Sequence, residues 1–390
     1  MGMEKECGVV TVKILIAPQS FKGSLSSYEA AKAMEKGVKA AMSDCETVLL
    51  PIADGGEGTV NAMVEATGGK LISTRVRGPL GVSVKAVWGI LGDRNTAVIE
   101  MAAASGLNLI PKNELNPLLA STYGTGELIL AALESGCRKI IIGLGDSATV
   151  DGGAGMAQAL GIKLLDAEGH AIPSGGAGVA KLRHIDISGR HPLIEESSII
   201  CACDVTNPLC GADGAAHVYG PQKGATSDMV NQLDAALRNL SNIIRQELRL
   251  EVENMPGAGA AGGMGAGLVA FLNASLQSGI DIICDSIGFD KHLADSDLVL
   301  TGEGRIDHQT ACGKTVVGIA RRAKLAGKMV IAIAGELGEG YQEVYNCGID
   351  AVVSILPRCM ERNDAMKNAK KLVQEATERT LKLFHVSHGR

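Results

Sequence analysis

The segment between Leu298 and Thr315 contains the residue types that a phosphate site requires. A short apolar run ends at Leu300, and the polar stretch after it contains three glycines, two carboxylates, one arginine and one lysine. A strand, a polar loop and a helix start in this order favour anion binding, because N–H groups at a helix start point outward. The candidate phosphate-binding residues of this predicted loop are Gly302, Glu303, Gly304, Arg305, Asp307, Gly313 and Lys314.

The mixture of charges in this segment is typical of a site for phosphate that carries Mg²⁺. The cation is bound in proteins by oxygen ligands, and phosphates are bound by lysine or arginine side chains. Glu303 and Asp307 are therefore the candidate metal ligands. A connecting loop with solvated charges is the alternative interpretation of the same residues.

Two loops near the N-terminus also follow predicted strands. The apolar runs at 13–17 and 48–50 each end at a proline, and polar loops with glycines come next. In α/β proteins, ligands bind outside the carboxyl ends of strands. The candidate binding residues in these two loops are Ser20, Lys22, Asp54 and Glu57. Ordinary polar loops at helix starts are the alternative.

Two further aspartates follow apolar strands in the middle of the chain. Asp146 comes after the run at 139–144 and precedes a Gly–Gly pair. Asp204 comes after the run at 199–202 and lies three residues before Asn207. A carboxylate in such a position can accept a proton from a hydroxyl group. Several acidic, glycine-rich loops of this kind suit phosphoryl transfer to a small polar acceptor.

The pattern of predicted elements indicates an α/β protein with two domains. Both ends of the chain show strands that alternate with helices, whereas 82–90 and 97–101 alternate like the strands of a hairpin. We therefore predict one α/β domain formed by residues 1–75 and 281–390, with a second α/β domain inserted at 76–280.

Composition excludes several classes of protein. The 390 residues carry a net charge of -6 without a broad basic patch, so nucleic acid is not an expected partner. The ten cysteines form no C-x-x-C motif, which favours free thiols in a reducing cytoplasm. The uncharged window at 254–280 contains seven glycines, so we expect a turn and a buried helix there and no membrane span.

The common nucleotide motifs are incomplete. No Walker A, G-x-S-x-G or H-R-D catalytic loop is present in the sequence. The segment 257–262 matches G-x-G-x-x-G, but no apolar strand precedes it. The match is the only basis for a competing class, an NAD-dependent dehydrogenase. A protein of that class would bind NADH and would not hydrolyse ATP.

Six blocks of sequence carry a resemblance to a known family. The blocks are IAPQSFK at 16–22, ADGGEGT at 53–59, GLGDSATVDGG at 143–153, CDVTNPL at 203–209, GPQKGA at 220–225 and TGEGRIDHQTACGK at 301–314. In these blocks, and in their order from residue 13 to 384, the chain resembles the type I glycerate kinase family, the bacterial glycerate 2-kinase group.

The resemblance implies ATP- and Mg²⁺-dependent phosphorylation of D-glycerate. It also implies a flavodoxin-like domain with an inserted α/β domain, and a reaction in the cleft between them. The 2-hydroxyl is the expected acceptor, with the 3-hydroxyl or a related small hydroxy acid as alternatives. The resemblance identifies no oligomeric state.

Roles for individual residues follow from the same resemblance. Asp204 or Asp146 would accept the hydroxyl proton, and Asp204 is preferred because it ends a strand beside Asn207. Lys22 or Arg77 would bind the glycerate carboxylate. Residues 302–307 with Lys314 would bind ATP and Mg²⁺. The wall opposite to this nucleotide loop is expected to contain Ser20, Lys22, Asp54 and Glu57.

Overall fold

The computed structural model describes residues 12–53, 56, 58–311 and 315–388, with side chains up to Phe384. Within these residues the strands are β1 (Lys13–Ile16), β2 (Glu46–Leu49), β3 (Lys70–Arg77), β4 (Ser83–Ile90), β5 (Thr96–Glu100), β6 (Lys139–Gly143), β7 (Lys163–Leu165), β8 (His184–Asp186), β9 (Ser198–Ala202), β10 (Ser275–Gln277), β11 (Leu298–Ile306), β12 (Met329–Leu337) and β13 (Ala351–Ser354).

The described helices lie between these strands and after the last one. They are α1 (Ser27–Ala41), α2 (Thr59–Thr67), α3 (Ala102–Ser105), α4 (Tyr123–Glu134), α5 (Ala154–Ala159), α6 (Gly176–Val179), α7 (Ala215–Tyr219), α8 (Ser227–Ile243), α9 (Ala260–Leu272), α10 (Gly279–Ser286), α11 (Phe289–Ala294), α12 (His308–Ala311), α13 (Thr315–Leu325), α14 (Arg362–Lys367) and α15 (Ala369–His388). Short 3₁₀ turns include Pro221–Lys223, and a π-helical turn, Ile244–Leu248, extends α8.

The described residues form two compact units. Unit 1 contains the residues up to Ala53 and those from Ile283 onward, and unit 2 contains the residues between them. The sheet of unit 1 has the order β13-β12-β11-β1-β2, and all its neighbouring strands are parallel. Counted within the unit, this order is 2-1-3-4-5, which is the flavodoxin-like order.

Local sequence explains how the first helix of unit 1 begins and packs. Ser26 and Glu29 form the capping box, in which each side chain accepts the backbone N–H of the other residue. Helix α1 packs against α15. A Cβ on Gly37 would lie 2.4 Å from the carbonyl oxygen of Gln374, so glycine permits this close approach. The two ends of the chain are thereby joined in one core.

Unit 2 is built on a mixed sheet with the order β10-β9-β6-β5-β4-β3. Strands β5, β6, β9 and β10 are parallel, whereas β4 is antiparallel to both of its neighbours. The hairpin pattern predicted from the sequence is thus present in β4 and β5. Trp88 of β4 is fully buried, and its indole N–H donates to the hydroxyl of Thr74 in β3.

The unit boundary differs from the predicted boundary near residue 75. The structure groups α2 and β3 with unit 2, because α2 packs against β3, β4 and β5. The N–H of Val60 donates to the carboxylate of Glu100 at the end of β5. Gly89 leaves the space that the side chain of Val64 fills. The change from alternating elements to a hairpin therefore lies within unit 2.

Strand β11 is longer than the sequence pattern indicates. We predicted that the strand ends at Leu300 and that residues 302–307 lie in a loop, but β11 continues to Ile306. Its partner β12 continues beside it, and Ile306 pairs with Leu337. The strand can contain polar residues here because each has a suitable environment. The carboxylate of Glu303 is buried but hydrogen-bonded, and the side chain of Arg305 is exposed. A change from apolar to polar residues therefore does not mark the end of a strand whose pairing with its neighbour continues.

The glycine-rich window begins with a turn and continues as helix α9, as predicted. The helix contains a run of left-handed residues, Ala261, Gly262 and Gly263. The backbone of this turn lies against the loop after β6, where the N–H of Gly152 donates to the carbonyl of Gly262 at 3.1 Å. The glycines that match G-x-G-x-x-G thus lie at a contact between two loops of unit 2. In the described part of the chain, no helix is both long and apolar enough to cross a bilayer.

Candidate active site

In unit 1, the loop after β1 lies beside the polar end of β11. The N–H of Gln19 donates to the carbonyl of Gly302 at 2.8 Å. A Cβ on Gly304 would lie 3.2 Å from the backbone nitrogen of Lys22. The loop of Ser20 and Lys22 and the polar end of β11 are thus neighbours in unit 1, because β1 and β11 are adjacent parallel strands. That Ser20 and Lys22 line the wall opposite to residues 302–307 stays a prediction.

This pair of strands is the position where a flavodoxin-like sheet binds ligands. The chain leaves β1 toward β2 on one side, and β11 lies on its other side. Loops diverge at such a switch point, and a crevice forms outside the carboxyl ends of the two strands. Lys22 is exposed at this place and Ser20 is half-buried.

Thr310 links the carboxylate of Glu303 in β11 to the backbone of Asp307 just after it. The hydroxyl of Thr310 donates to Glu303 at 2.8 Å and accepts the N–H of Asp307 at 3.2 Å. Glu303 is only 8% exposed. The carboxylate of Asp307 accepts the Nε–H of Arg305 and the N–H of Gln309. Both proposed metal ligands are thus held in fixed orientations.

The start of helix α13 contributes an orphaned polar atom. Thr315 is 2% exposed, and in the described structure its hydroxyl has no hydrogen-bond partner. An oxygen of this kind, close in sequence to two carboxylates, is chemically suited to Mg²⁺ and phosphate. Of the sequence-predicted residues, Asp54, Glu57, Gly313 and Lys314 lie outside the described residues.

Magnesium fits the donor chemistry of this part of unit 1. Among the described residues, no group of three or more His, Cys, Asp or Glu side chains is arranged to hold a metal ion. Mg²⁺ does not require such a cage, because it is usually bound by one or two carboxylates together with substrate phosphates and water. Glu303 and Asp307 can supply carboxylate oxygens of that kind.

In unit 2, Asp146 and Asp204 lie at the same edge of the sheet. Gly143 and Ala202 are paired at the ends of the parallel strands β6 and β9. Asp146 follows the first of these by three residues, and Asp204 follows the second by two. Both aspartates are exposed. The structure therefore brings together the two candidate proton acceptors that the sequence placed after separate strands.

The backbone of Asp146 adopts a conformation that is uncommon for a residue with a side chain. Its φ is 56°, in the left-handed region. The carbonyl of Asp146 accepts the N–H of Leu107, and the N–H of Ala148 donates to the carbonyl of Ser105. Such strain persists only where the surroundings hold the backbone, and it is concentrated at functional sites.

The segment around Asp204 is fixed by neighbours in unit 2. One carboxylate oxygen accepts the N–H of Gly279 at 2.8 Å, at the start of α10. The side chain of Asn207 donates to the carbonyl of Asp213 and accepts the hydroxyl of Tyr219. Burial raises the pKa of Tyr219, so this phenol stays protonated as a donor.

Arg77 is at the end of β3, where it contacts helix α4. Its guanidinium carbon lies 3.9 Å from the ring centre of Tyr123, and its Nε lies 3.5 Å from the carboxylate of Glu127. The side chain remains about half exposed. Arg77 thus has a fixed position and a charge that is partly compensated by Glu127.

Asp151 is a buried carboxylate that sequence reasoning did not select as a site residue. It is fully buried and accepts hydrogen bonds from the N–H and hydroxyl of Thr122 and from the N–H groups of Gly153 and Gly155. Burial raises the pKa of Asp151, while these donors act in the opposite direction. The network joins the start of α4 to the start of α5.

Lys223 is the second residue that the sequence reasoning missed. It is 1% exposed, and its Nζ donates to the hydroxyl of Ser147 at 2.8 Å and to the carbonyl of Thr149 at 2.7 Å. Burial lowers the pKa of Lys223 to about 7, and the charge of Asp151 opposes that shift. The sequence did contain a signal for Asp151 and Lys223, because both lie in blocks that carry the family resemblance, at 143–153 and 220–225.

Comparisons with known proteins agree on one family. A family model described as the glycerate kinase family matches residues 14–385. A glycerate kinase of Halalkalibacterium halodurans is 51% identical over 363 residues, which cover 93% of this chain and 96% of the relative. A glycerate 2-kinase of Escherichia coli (strain K12) is 52% identical and covers 92% of this chain and 94% of the relative.

A solved structure supports the fold. The crystal structure of a Salmonella typhimurium LT2 protein, provisionally named glycerate kinase 2, aligns with a TM-score of 0.88 and 47% identity. The alignment covers 97% of this chain and 99% of the other. The predicted α/β fold class is therefore confirmed.

Proposed function

The chain belongs to the glycerate kinase family, and from this premise we propose that it transfers a phosphoryl group from ATP to the 2-hydroxyl of D-glycerate. The observation that carries the proposal is the match to named relatives over more than nine-tenths of the chain. The choice of the 2-hydroxyl is supported by the name of the Escherichia coli relative. Phosphorylation of the 3-hydroxyl, or of a related hydroxy acid, is the alternative.

We propose that unit 1 binds ATP beside the carboxyl ends of β1 and β11. The supporting observation is the loop of Ser20 and Lys22, which packs against Gly302 and Gly304 at the switch point of the sheet. Glycines let backbone N–H groups approach phosphate closely. Of the other candidate residues for this role, Gly313 and Lys314 stay predictions from the sequence.

Magnesium would be held by Asp307 and Glu303. When bound, it would neutralise charge on the phosphates during transfer. The protein itself contributes fixed carboxylates, because Thr310 orients both of their segments. Arg305 keeps a positive charge beside Asp307, at a distance of 3.0 Å between its Nε and the carboxylate.

The acceptor hydroxyl must lose its proton to a carboxylate. Asp146 and Asp204 are the proposed acceptors, since both are exposed at one edge of the unit 2 sheet. The glycerate carboxylate would be bound by Lys22 or Arg77, and Arg77 is held in place by Tyr123 and Glu127. A reaction between the two units, a cytoplasmic location and the absence of nucleic-acid and membrane partners remain predictions.

A coupled assay tests both the activity and the position of the phosphate. The protein is mixed with ATP, Mg²⁺ and D-glycerate, and 2-phosphoglycerate is detected through enolase. Signal with enolase alone is the expected result. A signal that appears only after phosphoglycerate mutase is added would move the phosphate to the 3-hydroxyl. No ADP formation by folded protein would contradict the proposal and direct attention to NADH binding.

The two aspartates are distinguished by amide substitutions. We expect Asp146→Asn or Asp204→Asn to lower kcat about 10²–10⁴-fold, because a general base contributes that much. The other substitution is expected to have a smaller effect on kcat. Asp228→Asn, at an exposed residue of α8, is the matched control and should retain full activity. Near wild-type kcat in both site variants would refute the assignment of the proton acceptor.

A further inference from the structure

We propose that the buried side chain of Lys223 is a positioning residue, which fixes the segment that carries Asp146 and so determines kcat more than substrate affinity. This inference rests on the proposed kinase function and on the place of Asp146 in it. Lys223 itself reaches no substrate in this proposal, since it is 1% exposed.

The hydrogen bonds of Lys223 are directed at the residues that follow Asp146. The Nζ donates to the hydroxyl of Ser147, the next residue, and to the carbonyl of Thr149. A 3₁₀ turn, Pro221–Lys223, carries the lysine between helices α7 and α8. The amine therefore joins a separate element of unit 2 to the loop after β6.

The same segment is also held by residues 105–107. The N–H of Leu107 donates to the carbonyl of Asp146, and the N–H of Ala148 donates to the carbonyl of Ser105. With Lys223 bonded at Ser147 and Thr149, the segment from Asp146 to Thr149 is held by two separate parts of unit 2. Its carboxylate stays exposed, and its left-handed φ of 56° is maintained.

Stability alone gives a poor explanation for a lysine at this position. A buried amine loses hydration, and an apolar side chain of similar length would avoid that cost. Lys223 makes no described ion pair, and Asp151 is satisfied by Thr122, Gly153 and Gly155. What the amine adds is a pair of directed hydrogen bonds to a strained loop beside a proposed catalytic group.

The test compares Lys223→Met, Ser147→Ala and the double variant, with Lys181→Met as the control at an exposed lysine of the same unit. Steady-state kinetics with ATP and D-glycerate are measured at a temperature where each variant is folded. We expect kcat to fall about 10–100-fold in Lys223→Met, since small misplacements near the reacting groups have effects of that size. Both KM values should change less than about threefold.

The double variant tests whether the lysine acts through Ser147. If it does, the double variant will lose little more activity than Lys223→Met, because both substitutions break the same bond. Losses that multiply would overturn this link. A wild-type kcat in Lys223→Met, combined with a lower melting temperature, would reduce Lys223 to a residue of stability only.

Hydrogen–deuterium exchange gives a readout that does not depend on the substrate. Peptides that cover residues 144–153 should exchange faster in Lys223→Met than in the wild type or in Lys181→Met. Unchanged exchange there would overturn the positioning role, even if the wild type phosphorylates glycerate. An inactive wild type with faster exchange in Lys223→Met would instead refute the proposed function and leave the anchoring of this loop supported.

Discussion

The side chains of Asp146 and Lys223 lie in opposite environments, one exposed and one buried, although Lys223 binds the loop that contains Asp146. The aspartate is exposed on a strained backbone, and the lysine is buried against the residues that follow it. An exposed carboxylate can exchange protons with a bound hydroxyl, whereas a buried amine can only orient its neighbours. Burial therefore distinguishes the proposed proton acceptor from the proposed positioning residue.

The buried amine predicts a specific pH dependence of stability. The pKa of Lys223 is lowered by burial from 10.5 to about 7. Between these values the unfolded chain carries a proton that the folded protein lacks, so the free energy of unfolding rises with pH in this window. Below it, the full cost of burying the ammonium remains. We expect the wild type to gain on the order of 1 kcal/mol per pH unit relative to Lys223→Met.

Urea denaturation of both proteins at several pH values between about 7 and about 10 checks this expectation. Asp151 is present in both proteins, so its own titration largely cancels in the difference. A difference in stability that is constant across the window would show that Lys223 keeps its ordinary pKa when folded.

Candidate site residues could be identified from the sequence when they lie close to the end of a predicted strand. Asp146 and Asp204 were predicted because each follows an apolar run, and parallel strands bring such residues to one edge. Lys223 and Asp151 were missed because their hydrogen bonds depend on burial and on partners that are distant in sequence. Lys223 lies 76 residues from Ser147, and no local pattern reports such a contact.

At the scale of elements, the left-handed turn in α9 shows how two loops can be fixed by backbone alone. Ala261, Gly262 and Gly263 all have positive φ. A Cβ on Gly262 would lie 1.9 Å from the carbonyl oxygen of Thr149, the same carbonyl that accepts a hydrogen bond from Lys223. The turn and the lysine therefore both lie against one carbonyl group, and the lysine donates to it.

Gly262→Ala should destabilise unit 2 more than a substitution at an open left-handed glycine. Gly169 has a similar φ of 79°, but a Cβ there would meet nothing within 4 Å. We expect Gly169→Ala to cost about 1–2 kcal/mol from backbone strain alone. Gly262→Ala should cost about 1–3 kcal/mol more, because the methyl group clashes with Thr149. Equal urea midpoints for the two variants would refute the close approach.

The elements themselves were predicted unevenly. Strands β1, β6 and β9 followed from apolar runs, and helix α1 followed from its capping box. The end of β11 was missed, because Glu303 is polar and yet buried beside Thr310. A hydrophobic pattern predicts a buried strand only when the buried residues are apolar. This condition fails in β11, where a buried residue is a carboxylate.

At the scale of the whole molecule, the two cores use different parts of the chain. One core cluster of unit 2 is formed by residues between Val76 and Ala274. The core of unit 1 combines Ile14–Cys45 with Leu298–Leu381, because α1 packs on α15 and β1 pairs with β11. Unit 2 is therefore continuous in sequence, whereas unit 1 is complete only when the last helix is present.

This arrangement predicts that a fragment of residues 54–286 folds alone and that residues 1–53 do not. The fragment contains all six strands of the mixed sheet and the whole of α10, which keeps the bond between Gly279 and Asp204. Strands β1 and β2 lack β11 and α15 in the short fragment, so their apolar side chains have no core to enter. Circular dichroism with thermal melting should show a cooperative transition for the first fragment only. A fragment 54–286 without such a transition would mean that unit 2 depends on unit 1 for its stability, and that the chain does not fold one unit before the other during synthesis.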